Sequence, residues 1–238
     1  MPSTAWDNLW TGQFTEGAFP LEAPTLQNHL DRDKIRFILP HIARQGRAIE
    51  IGCGSARLLA RLGLTRQYEL TAVDSSLEAL KGASQTSVVS GVSMHLVCAD
   101  AAHLPAKSGS FDVVLSGGLL EHFHDPVPLL KEMVRILRPG GLLYADIVPR
   151  KLSLYRVREL VRMIRSEELL PGVYETRYGA EYYRERLVDL DCVDISFEYR
   201  GVYPPYGVRH LWKLTRILDG TLVARLLGWY FVLRCMKR

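Results

Sequence analysis

The sequence predicts an α/β fold, a mostly parallel sheet with helices on both faces, and three observations carry that expectation. Short apolar runs alternate with helical patterns from Arg47 to Ile147. A two-glycine turn, Gly52-Cys53-Gly54, follows the first apolar run directly. Acidic residues stand at the ends of the first three runs, at Glu50, Asp74 and Asp100.

The elements follow in chain order. Residues 1–24 are rich in Gly, Pro and aromatics without periodicity and read as an arm. Residues 25–45 read as a helix that ends near Pro40, which cannot donate a helical hydrogen bond. Arg47–Ile51 is the first strand, and Ala56–Leu62 opens a helix. Tyr68–Val73 is the second strand, with Ser75-Ser76 starting the next helix. Met94–Cys98 is the third strand, and Phe111–Leu115 the fourth, opening into Ser116-Gly117-Gly118. Pro126–Leu137 is a helix closed by Arg138-Pro139-Gly140-Gly141, and Leu142–Ile147 is the fifth strand. Past Pro149, residues 151–190 read as amphipathic helix and loop, a cap inserted over the end of the sheet. Cys192–Tyr199 and Trp229–Met236 read as a closing antiparallel pair, joined by a Pro-containing loop and a helix around 209–227. The expected division is an arm and helix serving as a lid (1–45), a ligand-binding core (46–150), a helical cap (151–190) and a closing segment (191–238).

Composition bounds the function. At 238 residues the chain suits one α/β domain with additions. A net charge of +4 with both signs interspersed falls short of a dedicated nucleic-acid binder. No basic stretch followed by an apolar one opens the chain, and no apolar run approaches the ~18 residues of a membrane span. A cytoplasmic protein is the expectation. The four cysteines lack metal-ligand spacing, and Cys98 and Cys235, in strands, are expected to be buried thiols. Cys53 reads as a small filler of its loop, since nothing near it in sequence supplies a base.

The segments Glu50–Ala56, Leu119-Leu120-Glu121-His122-Phe123-His124-Asp125-Pro126 and Leu129–Leu143, in this order and spacing, resemble class I S-adenosylmethionine-dependent methyltransferases of the type 11 branch. The resemblance covers 46–148 closely and the last strands more loosely. It implies a Rossmann-like seven-stranded sheet in the order 3-2-1-4-5-7-6. It implies S-adenosylmethionine as methyl donor, S-adenosylhomocysteine as product and no metal. By position, Gly52, Cys53 and Gly54 would pass the methionine moiety, and Glu50 would support its amino group. Asp74, with Ser75, would hold the ribose, Asp100 and Ala101 the adenine, and Ser116 and Gly117 would line the cofactor. Ala56 stands where the family often has a third glycine. Arg57 stands where a nicotinamide-binding Gly-x-Gly-x-x-Gly/Ala turn needs a small residue, which argues against a dehydrogenase.

Simpler readings stand beside these. Asp74 and Asp100 could be no more than helix and turn caps. His122 and His124 are candidates for a general base, or His122 packs within its loop and His124 is solvated. Trp6 and Trp10 are a lid over the substrate or anchors of the arm. Tyr178 and Tyr182 line an acceptor pocket or pack an amphipathic helix. Arg150, Lys151, Arg156, Arg158, Arg162 and Arg165 face only Glu159 in opposition. They form a solvated face, or a weak contact with anionic lipid at the inner membrane face that delivers a lipid-like acceptor. Tyr203-Pro204-Pro205-Tyr206 follows the sixth strand, not the fourth, so it is a turn and not a DNA-methylase signature. The leading expectation is methyl transfer to an oxygen or nitrogen of a small or amphipathic molecule, with a quinone- or lipid-methylating peripheral enzyme and a non-catalytic cofactor-binding subunit as alternatives. Nothing in the sequence fixes an oligomeric state.

Overall fold

The computed structural model describes residues 6, 10–11, 20–23, 25–156, 174–203 and 212–238. Helix α1 (Leu26–Ile38) begins where the Thr25 hydroxyl accepts the Asn28 N–H at 3.2 Å, and it tightens into a single turn, Leu39–His41, at Pro40. Then β1 (Gln45–Ile51), α2 (Arg57–Thr65), β2 (Gln67–Asp74), α3 (Leu77–Ser90) and β3 (His95–Cys98) alternate. Next come β4 (Phe111–Gly117), a short turn of helix at Leu120–His122, α4 (Val127–Ile136) and β5 (Leu137–Ile147). After these follow α5 (Ala180–Asp189), β6 (Cys192–Arg200), α6 (Trp212–Thr215), a turn at Arg216–Leu218, α7 (Leu222–Leu227) and β7 (Tyr230–Lys237).

The seven strands form one mixed sheet in the order β3-β2-β1-β4-β5-β7-β6. β1 runs parallel to both β2 and β4, and β2 parallel to β3. The C-terminal half of β1 and the middle of β4 are buried residue after residue, as in a sheet covered on both sides. Ile49, Ile51, Leu59, Leu62 and Leu115 are among the fully buried side chains. Register decides where the chemistry falls. Glu50 sits between Ala72 and Leu115, and Asp74 lies beside Cys98, so the acidic residues collect at the same ends of neighbouring strands.

Two sequence expectations change. Cys98 is exposed, because β3 is the edge strand and has a neighbour on one side only. The fifth strand starts at Leu137, not Leu142: the Arg-Pro-Gly-Gly stretch belongs to it, with Gly140 at φ +73°, where only glycine is comfortable.

The chain divides into two compact units. The first holds Met1–Gly117, Pro128–Tyr144 and Met236–Arg238; the second holds Gly118–Val127 and Ala145–Cys235. In the second, Tyr183, Leu187, Phe231 and Leu233 are fully buried, and Tyr199 packs against Phe231 with ring centroids 5.4 Å apart. Cys235 is buried as expected.

Candidate functional site

The glycine turn is built by backbone strain and one carboxylate. Gly52 (φ +66°) and Gly54 (φ +51°) both take left-handed conformations, and Ala56 (φ +52°) joins them as the N-cap of α2. Ala56 therefore precedes the helix instead of opening it. The Asp74 carboxylate closes the turn from β2: Oδ2 accepts the Gly54 N–H at 2.9 Å, and Oδ1 accepts the Ser76 N–H at 3.0 Å. Ser76, not Asp74, caps α3, its hydroxyl accepting the Ala79 N–H at 3.2 Å. The Glu50 carboxylate is only 4 % exposed and accepts the Leu59 N–H at 3.1 Å, tying the first turn of α2 to β1.

These carboxylates set the local field. Burial and then the charges of Glu50 and Asp74 push the Cys53 thiol well above its usual range. This favours the protonated thiol, and the same negative potential favours a cationic ligand at the turn. Trp10 lies on Gly54: a Cβ at that position would sit 2.6 Å from two atoms of the indole ring. Trp6 and Trp10 are both half-buried. At the end of β4 the Ser116 hydroxyl, 1 % exposed, has no hydrogen-bond partner among the described residues. Asp100 is largely exposed, accepts the Ala102 N–H at 2.9 Å and pairs with His103 at 3.1 Å, contacts that hold it below the usual carboxylate range. Ser75 is exposed, and Ala101 and Gly117 are half-buried. The first unit thus gathers Glu50, Gly52, Cys53, Gly54, Asp74 and Ser75 around one turn.

Sequence reasoning missed what holds this turn from behind. Arg57, half-buried at the start of α2, reaches Asp31 at 3.2 Å and also bonds Asn28. Arg61 bonds Asn28 at 2.8 Å and the Leu21 carbonyl. Asn28, Asp31, Ile35 and Ile38 share the buried face of α1, a spacing at which two polar residues among apolar ones signal a buried polar contact.

The other candidates lie in the second unit. His122 is buried, with Nδ1 2.7 Å from the Tyr174 carbonyl, so Nδ1 carries the proton and donates. Burial lowers its pKa and keeps the ring neutral. This geometry fastens a loop. His124 is exposed and stacks on Tyr174 with centroids 3.6 Å apart. Tyr178 and Tyr182 stack face to face at 3.9 Å, Arg186 lies over Tyr182 at 4.0 Å, and the Tyr178 hydroxyl donates to the His124 carbonyl. Arg156 does not present a solvated basic face: it is buried in a two-pronged pair with Glu175 at 2.7 and 2.9 Å. Arg158, Arg162 and Arg165, and the Pro204–Tyr206 part of the Pro-Pro-Tyr stretch, lie outside the described residues.

Glu121, assigned no role by the sequence, is a strongly perturbed acid. It is 1 % exposed; Oε1 accepts the Val148 N–H at 3.1 Å, and its carbonyl accepts the Thr176 N–H at 2.7 Å. Burial, with Asp146 and Glu175 adding like charge, pushes its pKa up to about 8. An acid in the apolar run Leu119-Leu120-Glu121 was the available signal. The folded protein keeps this proton to about pH 8, whereas the unfolded chain releases it near the ordinary 4.5. Folded protein therefore binds more protons between those values, and stability falls as pH rises across that window. Glu121→Gln is expected to flatten that fall by up to ~1.4 kcal/mol per pH unit, read from urea midpoints between pH 5 and 8. Parallel wild-type and variant curves would exclude a buried neutral carboxyl.

Among the described residues no group of three or more His, Cys, Asp or Glu could hold a metal ion, and no helix is long and apolar enough to cross a membrane.

A fold of this strand order with a carboxylate-closed glycine turn at the end of β1 defines a class, and comparison with known proteins agrees. Residues 49–145 match the model of the methyltransferase domain family. A ubiquinone biosynthesis O-methyltransferase of Parvibaculum lavamentivorans is 34% identical over 110 residues, covering 45% of this chain and 42% of that protein. The 27-O-demethylrifamycin SV methyltransferase of Amycolatopsis mediterranei is 29% identical over 165 residues, covering 66% and 60%. The chain thus spans about half the length of these relatives. Among solved structures, a methyltransferase from Thermotoga maritima superimposes with a TM-score of 0.62 at 22% identity, over 88% of this chain and 89% of that one. The cyclase SpnF superimposes at 0.65 with 17% identity, over 98% and 93%. At such identities the likeness is one of fold, and the cyclase illustrates that the fold alone does not fix the reaction.

Proposed function

We propose that the chain binds S-adenosylmethionine at the Gly52–Gly54 turn and methylates an oxygen of a small planar or amphipathic molecule. The observation that carries the first half is the Asp74 carboxylate, fixed by the Gly54 and Ser76 N–H groups beside two left-handed glycines. These residues fit the cofactor. The left-handed glycines turn the backbone sharply, Asp74 supplies a carboxylate of the kind that accepts ribose hydroxyls, and the Ser116 hydroxyl has no hydrogen-bond partner among the described residues. Glu50 and Asp74 add a negative field for a sulfonium. When bound, the cofactor supplies a methyl group activated by that sulfonium. Asp100 and Ala101 are the adenine contacts in this reading.

The acceptor class rests on the O-methyltransferases named above. Direct displacement at a methyl carbon needs positioning more than a base, and His122 is proposed to position its loop. The test is release of S-adenosylhomocysteine with simple catechols and hydroquinones as acceptors. His122→Asn keeps a donor for the Tyr174 carbonyl and is expected to hold kcat within about tenfold, against ~100-fold or more if the ring were a base. No product release with any phenolic acceptor would count against the acceptor class.

A further inference from the structure

One face of the sheet carries a cleft of about 530 Å³, set entirely within the first unit. Alternate residues of a strand share a face. Ile49 of β1, Val73 of β2 and Val97 of β3 make its floor, while Leu70 and Ala72 turn to the other face and are buried beneath α2 and α3. A parallel sheet is ordinarily covered on both sides. Here the 99–110 connection between β3 and β4 forms no helix, and its residues 104–107 stand as a wall of the cleft. That wall is fastened from behind. Arg135 of α4 donates to the Leu104 carbonyl at 3.2 Å and to the Ala106 carbonyl at 2.7 Å, and Glu132 accepts the Leu104 N–H at 3.0 Å. The cleft is therefore preformed, with a volume inside the ~300–1,000 Å³ of small-molecule sites.

The charges lining the cleft leave one sign uncompensated. Glu69 is the one acid among its described lining residues, and it is already engaged: Arg47 reaches it at 3.2 Å, and His95 lies 3.7 Å from its other oxygen. The Arg47 guanidinium also lies over the Phe111 ring, 5.3 Å from the centroid, at an apolar end of the cleft. Lys107 stands exposed on the wall, and its ammonium has no ion-pair partner among the described residues. An apolar floor thus meets a rim whose spare charge is positive.

We infer that this cleft binds a small amphipathic monocarboxylate, its apolar body on Ile49, Val73, Val97 and Leu104 and its charged head at the Lys107 ammonium. Burying the body supplies affinity, and the single spare cation selects one negative charge. A cationic guest is mismatched, because the acid it needs is taken by Arg47 and His95. Arg47, His95 and Phe111 stand in the N-terminal halves of their strands, whereas Gly52 and Asp74 stand at the C-terminal ends. The cleft is therefore a second site, and the inference is independent of the cofactor reading.

The test is titration calorimetry of the full chain with octanoate and, separately, with octanol. Wild type is expected to bind octanoate saturably, more weakly at high salt, and to bind octanol less tightly. Lys107→Glu, an exposed change, is expected to weaken octanoate about tenfold and to leave octanol unaltered. Val97→Trp fills the cleft with an indole and is expected to remove octanoate binding. Val88→Trp places the same side chain on the exposed surface of α3 and should change nothing. Melting temperature verifies that each variant is folded, and Lys107→Glu decides the matter if Val97→Trp does not fold. Failure of wild type to bind octanoate, or undiminished binding by Lys107→Glu or by folded Val97→Trp, overturns the proposal. So does equal affinity for octanoate and octanol, which would make the cleft a site for neutral guests.

Discussion

Asp74→Ala is expected to weaken binding of S-adenosylhomocysteine at least ~100-fold. In the proposed complex the carboxylate accepts two ribose hydroxyls, and each hydrogen bond to a charged acceptor contributes about 1.5–3 kcal/mol. The same carboxylate accepts the Gly54 and Ser76 N–H groups, so the change also loosens the turn. Asp74→Asn separates the two effects. It keeps a side-chain oxygen for one N–H but loses the charge, so its binding should fall between wild type and alanine. Titration calorimetry of the three proteins reads the order directly. Equal affinity for wild type and Asp74→Ala would remove Asp74 from the cofactor site.

Asp31→Ala is expected to be the most destabilising single change in the first unit. The carboxylate is buried against Arg57 at 3.2 Å and Arg61 at 3.9 Å, and it accepts from Gln27 at 2.8 Å. Burial lowers the Arg61 pKa, and Asp31 is the largest influence raising it. Removing the acid leaves two guanidinium groups facing each other, and breaking a buried pair in this way costs about 3–5 kcal/mol. For a chain of this size that is a fall in Tm of roughly 10 °C. Calorimetric melting tests it, and a loss below ~1 kcal/mol would mean the cluster is solvated. The contrast with Asp74 is informative, because one carboxylate holds a ligand turn and the other holds the helix behind it.

The alternation of β1 to β4 with their helices is legible in the sequence because each strand is a short apolar run and each turn carries glycine, serine or aspartate at a definite place. The glycine turn is legible for the same local reason: left-handed backbone at Gly52 and Gly54 leaves a residue-type signature. What escapes is long-range. Asp31 meets Arg57 and Arg61 across 26 and 30 residues of chain, and no local pattern joins them. The exposure of Cys98 follows from strand order, which periodicity does not encode. The raised pKa of Glu121 depends on Asp146 and Glu175, brought near only by folding. Arg156 reads as one of a basic run, yet its partner Glu175 lies beyond that run.

In the proposed function the turn at the end of β1 holds S-adenosylmethionine and not a dinucleotide. Arg57 occupies the position at which a dinucleotide turn packs a small residue, and it is committed to Asp31 and Asn28. The most direct measurement is calorimetric titration of the wild-type protein with S-adenosylhomocysteine and, separately, with NAD. Saturable one-to-one binding of the first and no heat from the second are expected; no binding of S-adenosylhomocysteine, or binding of NAD in its place, would contradict the proposed function.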